Sequence, residues 1–309
     1  MAWLLDRKQS LLARLGHPKT ILIGSLSILC ALGLNARSVL AGTLYQDWNY
    51  AIDSAEDSLG IGQVGNTVYE LNAMAIKQTE ERIFVALKSN MPWGGTHDPG
   101  AYDRHVGYSD LLFNFTGTNL NTANANSSLI GIRFSDNNDS DAPSLGVYGN
   151  VNARDKAREN DNPQGSLQGY INAVHRYGKT ASIGDLAVND PYFDLNSHIP
   201  SLINTGNRIG DVEILSDLTG LGLDFDHFNI GGSYTYGFSF DRALLPDGDF
   251  IAHLSLDCNN DHIALLGTVE PEPEPEPVPE PSTALALGAL SLLAGVTKIR
   301  RRRDCLPNS

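Results

Sequence analysis

Between residues 42 and 268 the apolar positions fall in short runs, and Gly, Asn and Asp gather between them. Within several runs the apolar residues recur every second position, which places them on one face of a strand. In Ser233–Phe240, Tyr234, Tyr236, Phe238 and Phe240 share a face opposite Ser233, Thr235, Gly237 and Ser239. After a turn at Pro246-Asp247-Gly248, Phe250, Ala252, Leu254, Leu256 and Cys258 alternate with Ile251, His253, Ser255 and Asp257. Thr67–Lys77 and Arg82–Ser89 flank Gln78-Thr79-Glu80-Glu81 and read as a hairpin. Asp110–Phe115, Leu129–Phe134 and Leu145–Val151 read as further strands, with a polar loop at Ser135–Pro143. Helical turns are expected at Asp211–Leu218, with Asp211 as N-cap, and near Gly165–Ala173. No self-similar period argues for a solenoid or propeller. The pattern predicts a mainly β fold, an antiparallel β-sandwich of jelly-roll-like type with one or two short helices.

The two ends follow other rules. Basic residues in 1–19 precede the apolar run Thr20–Leu34, which is shorter than a spanning helix. Val39 and Ala41 are small residues placed for a cut before Gly42, so residues 1–41 read as a secretory signal peptide. At the other end Glu and Pro alternate from Glu270 to Pro281. Such a run favours polyproline II, and residues 269–281 form a stiff spacer. Residues 282–299 then read as a single transmembrane helix, short at about 26 Å for the apolar part. Residues 300–309 form a basic tail headed by Arg300, Arg301, Arg302 and Arg303, which holds that end in the cytoplasm and the 42–268 body outside.

Pro279-Glu280-Pro281, a short apolar span and an arginine cluster, in that order over residues 278–303, resemble the PEP-CTERM sorting signal. The resemblance implies export through the Sec translocon, removal of the leader by signal peptidase, and a transient inner-membrane anchor. It also implies cutting by an exosortase, a membrane protease-transpeptidase, and a destination at the bacterial surface or beyond it. The body is similar to a small family of exosortase-dependent surface proteins at Asp47–Asp53 (DWNYAID), Ala75-Ile76-Lys77, Gly222-Leu223-Asp224-Phe225 and Phe250–Leu254 (FIAHL). That likeness implies surface display and brings no catalytic residues with it.

Charge narrows the partners. The chain holds 22 Lys and Arg against 36 Asp and Glu, a formal net charge of −14. The excess acid sits in the body, so nucleic acid is not the expected partner. Asp139 and Asp141 in one polar loop, and Asp257 and Asp261 in another, offer the oxygen ligands that calcium prefers, against the plainer reading of solvated acidic loops. The Asp257 loop does not fit the EF-hand spacing, with His262 where Gly and Thr268 where Glu are needed, and no HExxH or CxxC points to zinc. Cys258 continues an apolar face and reads as a buried structural thiol rather than a nucleophile. His253 alternates away from that face and reads as a surface or cross-strand residue. Trp48 and Trp93 are the candidate glycan contacts, weighed against a packing role.

These readings lead to a non-enzymatic exported surface or extracellular-matrix protein with no cofactor beyond a candidate Ca²⁺. The alternatives are a glycan-binding module of an exopolysaccharide matrix and a secreted hydrolase. No GxSxG or P-loop supports the last of these.

Overall fold

A strand turns alternate side chains to opposite faces, and a sheet with both faces covered can be apolar on each. The computed structural model describes residues 42–157, 159, 160, 162 and 166–271. The leader with Val39 and Ala41, the Pro279–Pro281 tripeptide, the 282–299 span and Arg300–Arg303 lie outside the described residues. Among those described, no helix is long and apolar enough to cross a membrane.

The first elements are β1 (Thr43–Tyr45), β2 (Trp48–Ile52), β3 (Leu59–Gly60), β4 (Gln63–Val64), β5 (Leu71–Gln78) and β6 (Arg82–Ser89). Next come β7 (Thr96–His97), β8 (His105–Val106), β9 (Leu111–Asn114), α1 (Leu120–Ala125), β10 (Leu129–Arg133), β11 (Gly146–Arg154) and α2 (Leu167–Arg176). The last are β12 (Leu202–Gly210), β13 (Val212–Leu215), β14 (Tyr234–Asp241), β15 (Gly248–Ser255) and β16 (His262–Val269). Twelve strands form two antiparallel six-stranded sheets, ordered β1-β2-β5-β6-β14-β13 and β12-β11-β10-β9-β15-β16, while β3–β4 and β7–β8 are small ribbons. Asp211 alone separates β12, at the edge of the second sheet, from β13, at the edge of the first.

The main core joins the two sheets. Met74, Ile76, Val85, Leu87, Phe238 and Phe240 from the first meet Leu111, Phe113, Ile132, Leu254, Ile263 and Leu265 from the second. Phe134 stacks on Phe238 at 4.6 Å. The alternation in β14 and β15 is therefore the inward phase, and Cys258 joins this core.

Both outer faces are covered as well. On the first sheet, Trp48, Tyr50, Ala73, Ala75 and Ala86 pack under Leu218 and Phe225. Gly237 lets this cover settle, because a Cβ there would lie 2.6 Å from the Leu218 side chain. On the second sheet, Leu112, Tyr148, Val151, Ile203 and Ala264 pack under α1, α2 and the 181–199 segment. Helix α2 is capped by Ser166, whose Oγ accepts from the Gly169 amide at 3.2 Å. It buries Leu167, Tyr170, Ile171 and Val174 along one stripe.

The covers correct two sequence expectations. His253 does point away from the main core, but it is 2% exposed, not a surface residue. Tyr192, Phe193 and Pro200 roof it, and its ring nitrogens meet the Tyr192 hydroxyl at 3.1 Å and the Pro200 carbonyl at 3.3 Å. Residues 212–215 form a strand rather than a helix, because Val212–Leu215 pair with Gly237–Phe240 of β14 and that ladder outweighs local preference. Asp211 bonds Arg208 instead of capping a helix. The helix expected near 165–173 is present as α2.

Two predictions rest on this packing. Cys258 is fully buried with its thiol pushed up by burial, so labelling of the folded protein by a thiol reagent should be slow and should accelerate in denaturant. Burial also pushes His253 down from its usual 6.5 to about 4. A folded-state pKa below the unfolded one gives stability that is present above pH 6.5 and lost as pH falls through about 4. His253→Gln should flatten that acid-side loss, by on the order of 3 kcal/mol in urea titrations compared across the window.

Candidate functional site

The β15–β16 loop, Leu256–Asp261, carries two carboxylates into the interior. Its alternate residues go to different places, so Asp257, Asn259 and Asp261 do not form the single cluster that their spacing suggests.

Asp261 turns toward the first sheet. Its Oδ2 accepts from the Leu71 amide at 2.7 Å, and its Oδ1 from the His262 amide at 2.9 Å and the Tyr170 hydroxyl at 3.4 Å. There it meets Asp53 and Asp57, from the loop after β2. The three residues each offer an oxygen within 4.8 Å of the others, and all three are buried. The Gly184 amide donates to Asp53 Oδ1 at 2.9 Å and the Ser182 amide to Asp57 Oδ2 at 2.6 Å. Glu70, fully buried just before β5, takes part in the same electrostatic cluster, with Oε2 held by Ser58 at 2.7 Å.

Charge makes this cluster unusual. Asp53 Oδ2, Asp57 Oδ1 and Glu70 Oε1 have no partner at full hydrogen-bond geometry, although the Ser182 and Tyr170 hydroxyls act on Asp53 and Asp57. Among the described residues, no ion pair includes any of the four carboxylates; the nearest in sequence joins half-buried Lys179 to exposed Glu56. Burial pushes all four above the ordinary carboxylate range, and neighbouring carboxylates add to the rise at Asp53, Asp57 and Asp261. At 4.8 Å and an effective dielectric of about 20, two like charges repel by roughly 3.5 kcal/mol.

Asp257 turns the other way. Its Oδ2 accepts from the Gly107 amide at 2.9 Å while its Oδ1 has no partner. Asp139 raises its pKa further but bonds Asn160 at 2.9 Å, and Asp141 pairs with Arg154 at 2.8 Å. The 135–143 loop is organised by Asp110, a fully buried side chain that accepts from Asn138 at 3.0 Å, Ser140 at 2.6 Å and the Ile203 amide at 2.7 Å. Of the four calcium candidates read from sequence, only Asp261 joins the three-carboxylate cluster. Asp53, Asp57 and Glu70 were missed. Their one sequence signal is acid set against apolar runs, with Asp53 closing the DWNYAID segment and Glu70 opening the Leu71 strand.

The glycan candidates are differently placed. Trp48 is fully buried, and its indole N–H donates to the Leu221 carbonyl at 2.9 Å, so it presents no ring to a sugar. Trp93 is half-buried against Tyr108, Phe134 and Tyr236.

Three segments behind the resemblance of the body form one packing unit on the outer face of the first sheet. Asn49 of β2 is opposite Ile76 of β5, the Asp224 amide donates to the Tyr50 hydroxyl at 3.0 Å, and Phe225 packs edge-on against Tyr50 at 5.7 Å. Comparison with protein families finds one match, at the other end of the chain. Residues 277–303 are a PEP-CTERM protein-sorting motif. This motif supports an exosortase-sorted protein and implies export and cell-surface localisation. No curated protein and no solved structure matches the chain.

Asp110 generates a prediction of its own. Asp110→Ala strands the buried Ile203 amide and frees Asn138 and Ser140, so unfolding free energy should drop by about 3 kcal/mol or more. Amide exchange in 138–141 should accelerate with it.

Proposed function

We propose that this protein is a non-enzymatic surface or matrix protein, whose folded body is delivered outside the cell and whose C-terminal anchor is then cut away. The carrying observation is the sorting motif at 277–303. Each of its parts has a physical task. The arginine cluster resists crossing the membrane and halts translocation. The short apolar span holds the chain in the bilayer with Pro279-Glu280-Pro281 at its outer face, within reach of exosortase. The Glu-Pro spacer keeps the folded body off that protease. Entry through the Sec translocon, release of residues 1–41 by signal peptidase, and the transient inner-membrane anchor belong to the same reading.

The body supports a structural role. We read its two six-stranded sheets as a jelly-roll-like sandwich, with six strands per sheet rather than the four of a simple jelly roll. Cys258, His253 and His262 are sealed in its interior. The glycan-binding reading is weakened by the burial of Trp48, and no GxSxG motif favours the hydrolase reading. Exopolysaccharide is the matrix partner consistent with surface delivery.

Replacing Pro279-Glu280-Pro281 by three alanines should leave membrane anchoring intact and abolish processing, so that an uncut membrane form accumulates. Mass spectrometry of the mature surface protein should find Lys298–Ser309 missing. A surface product that retains those residues would overturn exosortase processing in favour of a permanent anchor.

A further inference from the structure

Like charges cannot share a dry site without compensation, and protons or a cation are the two forms it can take. Asp57 and Asp261 are fully buried and Asp53 is 8% exposed, so no large substrate reaches them. Their held oxygens are fixed by amides from two other segments, at Leu71 and at Ser182 and Gly184. The oxygens left over, Asp53 Oδ2 and Asp57 Oδ1, together with Glu70 Oε1, have free lone pairs in a buried setting. Backbone amides that position one carboxylate oxygen while the other is left free are the arrangement by which outer groups orient metal ligands.

The donor set is hard oxygen throughout. His262 is adjacent in sequence, yet its Nδ1 bonds Ser255 Oγ at 2.6 Å. Cys258 belongs to the core between the sheets. Two oxygens bound to one calcium ion lie at most about 4.6–5.2 Å apart, and the three ligand atoms here stay inside that limit, within 4.8 Å of one another.

We propose that Asp53, Asp57 and Asp261 hold one Ca²⁺, with Glu70 as a fourth carboxylate beside it, and that the ion clamps the two sheets together. Asp53, Asp57 and Glu70 flank β2 and β5 of the first sheet, whereas Asp261 lies between β15 and β16 of the second. One ion thus joins segments that are far apart in the chain. The choice of calcium among hard cations rests on the export reading above, since extracellular sites work at about 0.1–1 mM calcium.

The test uses the full chain purified in detergent and stripped with EDTA. Calorimetric titration with CaCl₂ should show uptake at this cluster with an affinity of about 1 mM or tighter. Terbium luminescence excited through Tyr170, which bonds Asp261, should rise on Tb³⁺ addition and fall on CaCl₂ addition. The melting temperature should rise by several degrees in 10 mM CaCl₂ (about ten times the weakest affinity assumed) and return in EDTA, with MgCl₂ a poor substitute. Asp57→Asn and Asp261→Asn should weaken uptake about tenfold or more. They should be less stable than wild type in CaCl₂ but not in EDTA, because each also removes a buried charge. Equal melting temperatures in CaCl₂ and EDTA with no uptake would overturn the proposal on the wild type alone. So would uptake unchanged in both variants, or variants equally destabilised with and without calcium. None of these outcomes depends on where the chain is cut, so failure of the sorting reading is seen separately.

Discussion

The loop between β15 and β16 imposes the constraint that organises one end of this body. It buries Asp257 on one side and Asp261 on the other. An uncompensated carboxylate in the interior is among the least favourable groups a fold can contain. Asp110 shows the compensated case, with both oxygens met by an amide and two side chains. The cluster of Asp53, Asp57, Glu70 and Asp261 shows the other: amides hold some oxygens and others are left free. The hydrogen bond from the Leu71 amide to Asp261 already ties one sheet to the other there, and a cation in the cluster strengthens that tie.

Much of the fold was legible from alternation alone. The strands around β5, β6, β9, β10, β11, β14 and β15 lie where period-two patterns place them, and the inward phase of Phe238, Phe240, Leu254 and Cys258 is correct. What alternation does not reveal is whether the outer face meets water. Here it meets α1, α2 and the 181–199 segment on one sheet and the 218–230 segment on the other. That difference moved His253 and Trp48 from candidate surface residues to buried ones. Residues 212–215 went astray for a related reason: their helical look is local, while the β14 ladder that captures them is not. Strands β1, β2, β12 and β16 were missed, β12 because Asn, Gly and Arg interrupt its pattern.

The candidate site was less legible, because its parts are brought together by topology. Asp261 was named from a polar loop, but its partners come from residues 53–70, about two hundred positions earlier. Spacing within the loop suggested that Asp257 and Asp261 act together, whereas successive side chains there diverge. The sorting signal is the opposite case. Its recognition is linear, so the order Pro-Glu-Pro, apolar span, arginines is readable without a fold, and the family match falls on the same residues. The sorting motif implies export, and the proposed ion site at the acid cluster fits an extracellular calcium supply.

The central claim is that one ion at this cluster joins the two sheets, and amide hydrogen exchange reads it most directly. In calcium, the amides of Leu71, Ser182, Gly184 and His262, which donate to the cluster, should slow together relative to EDTA, while the Ile203 amide on Asp110 should change little. Exchange at those four amides that is the same in calcium and in EDTA would contradict the account.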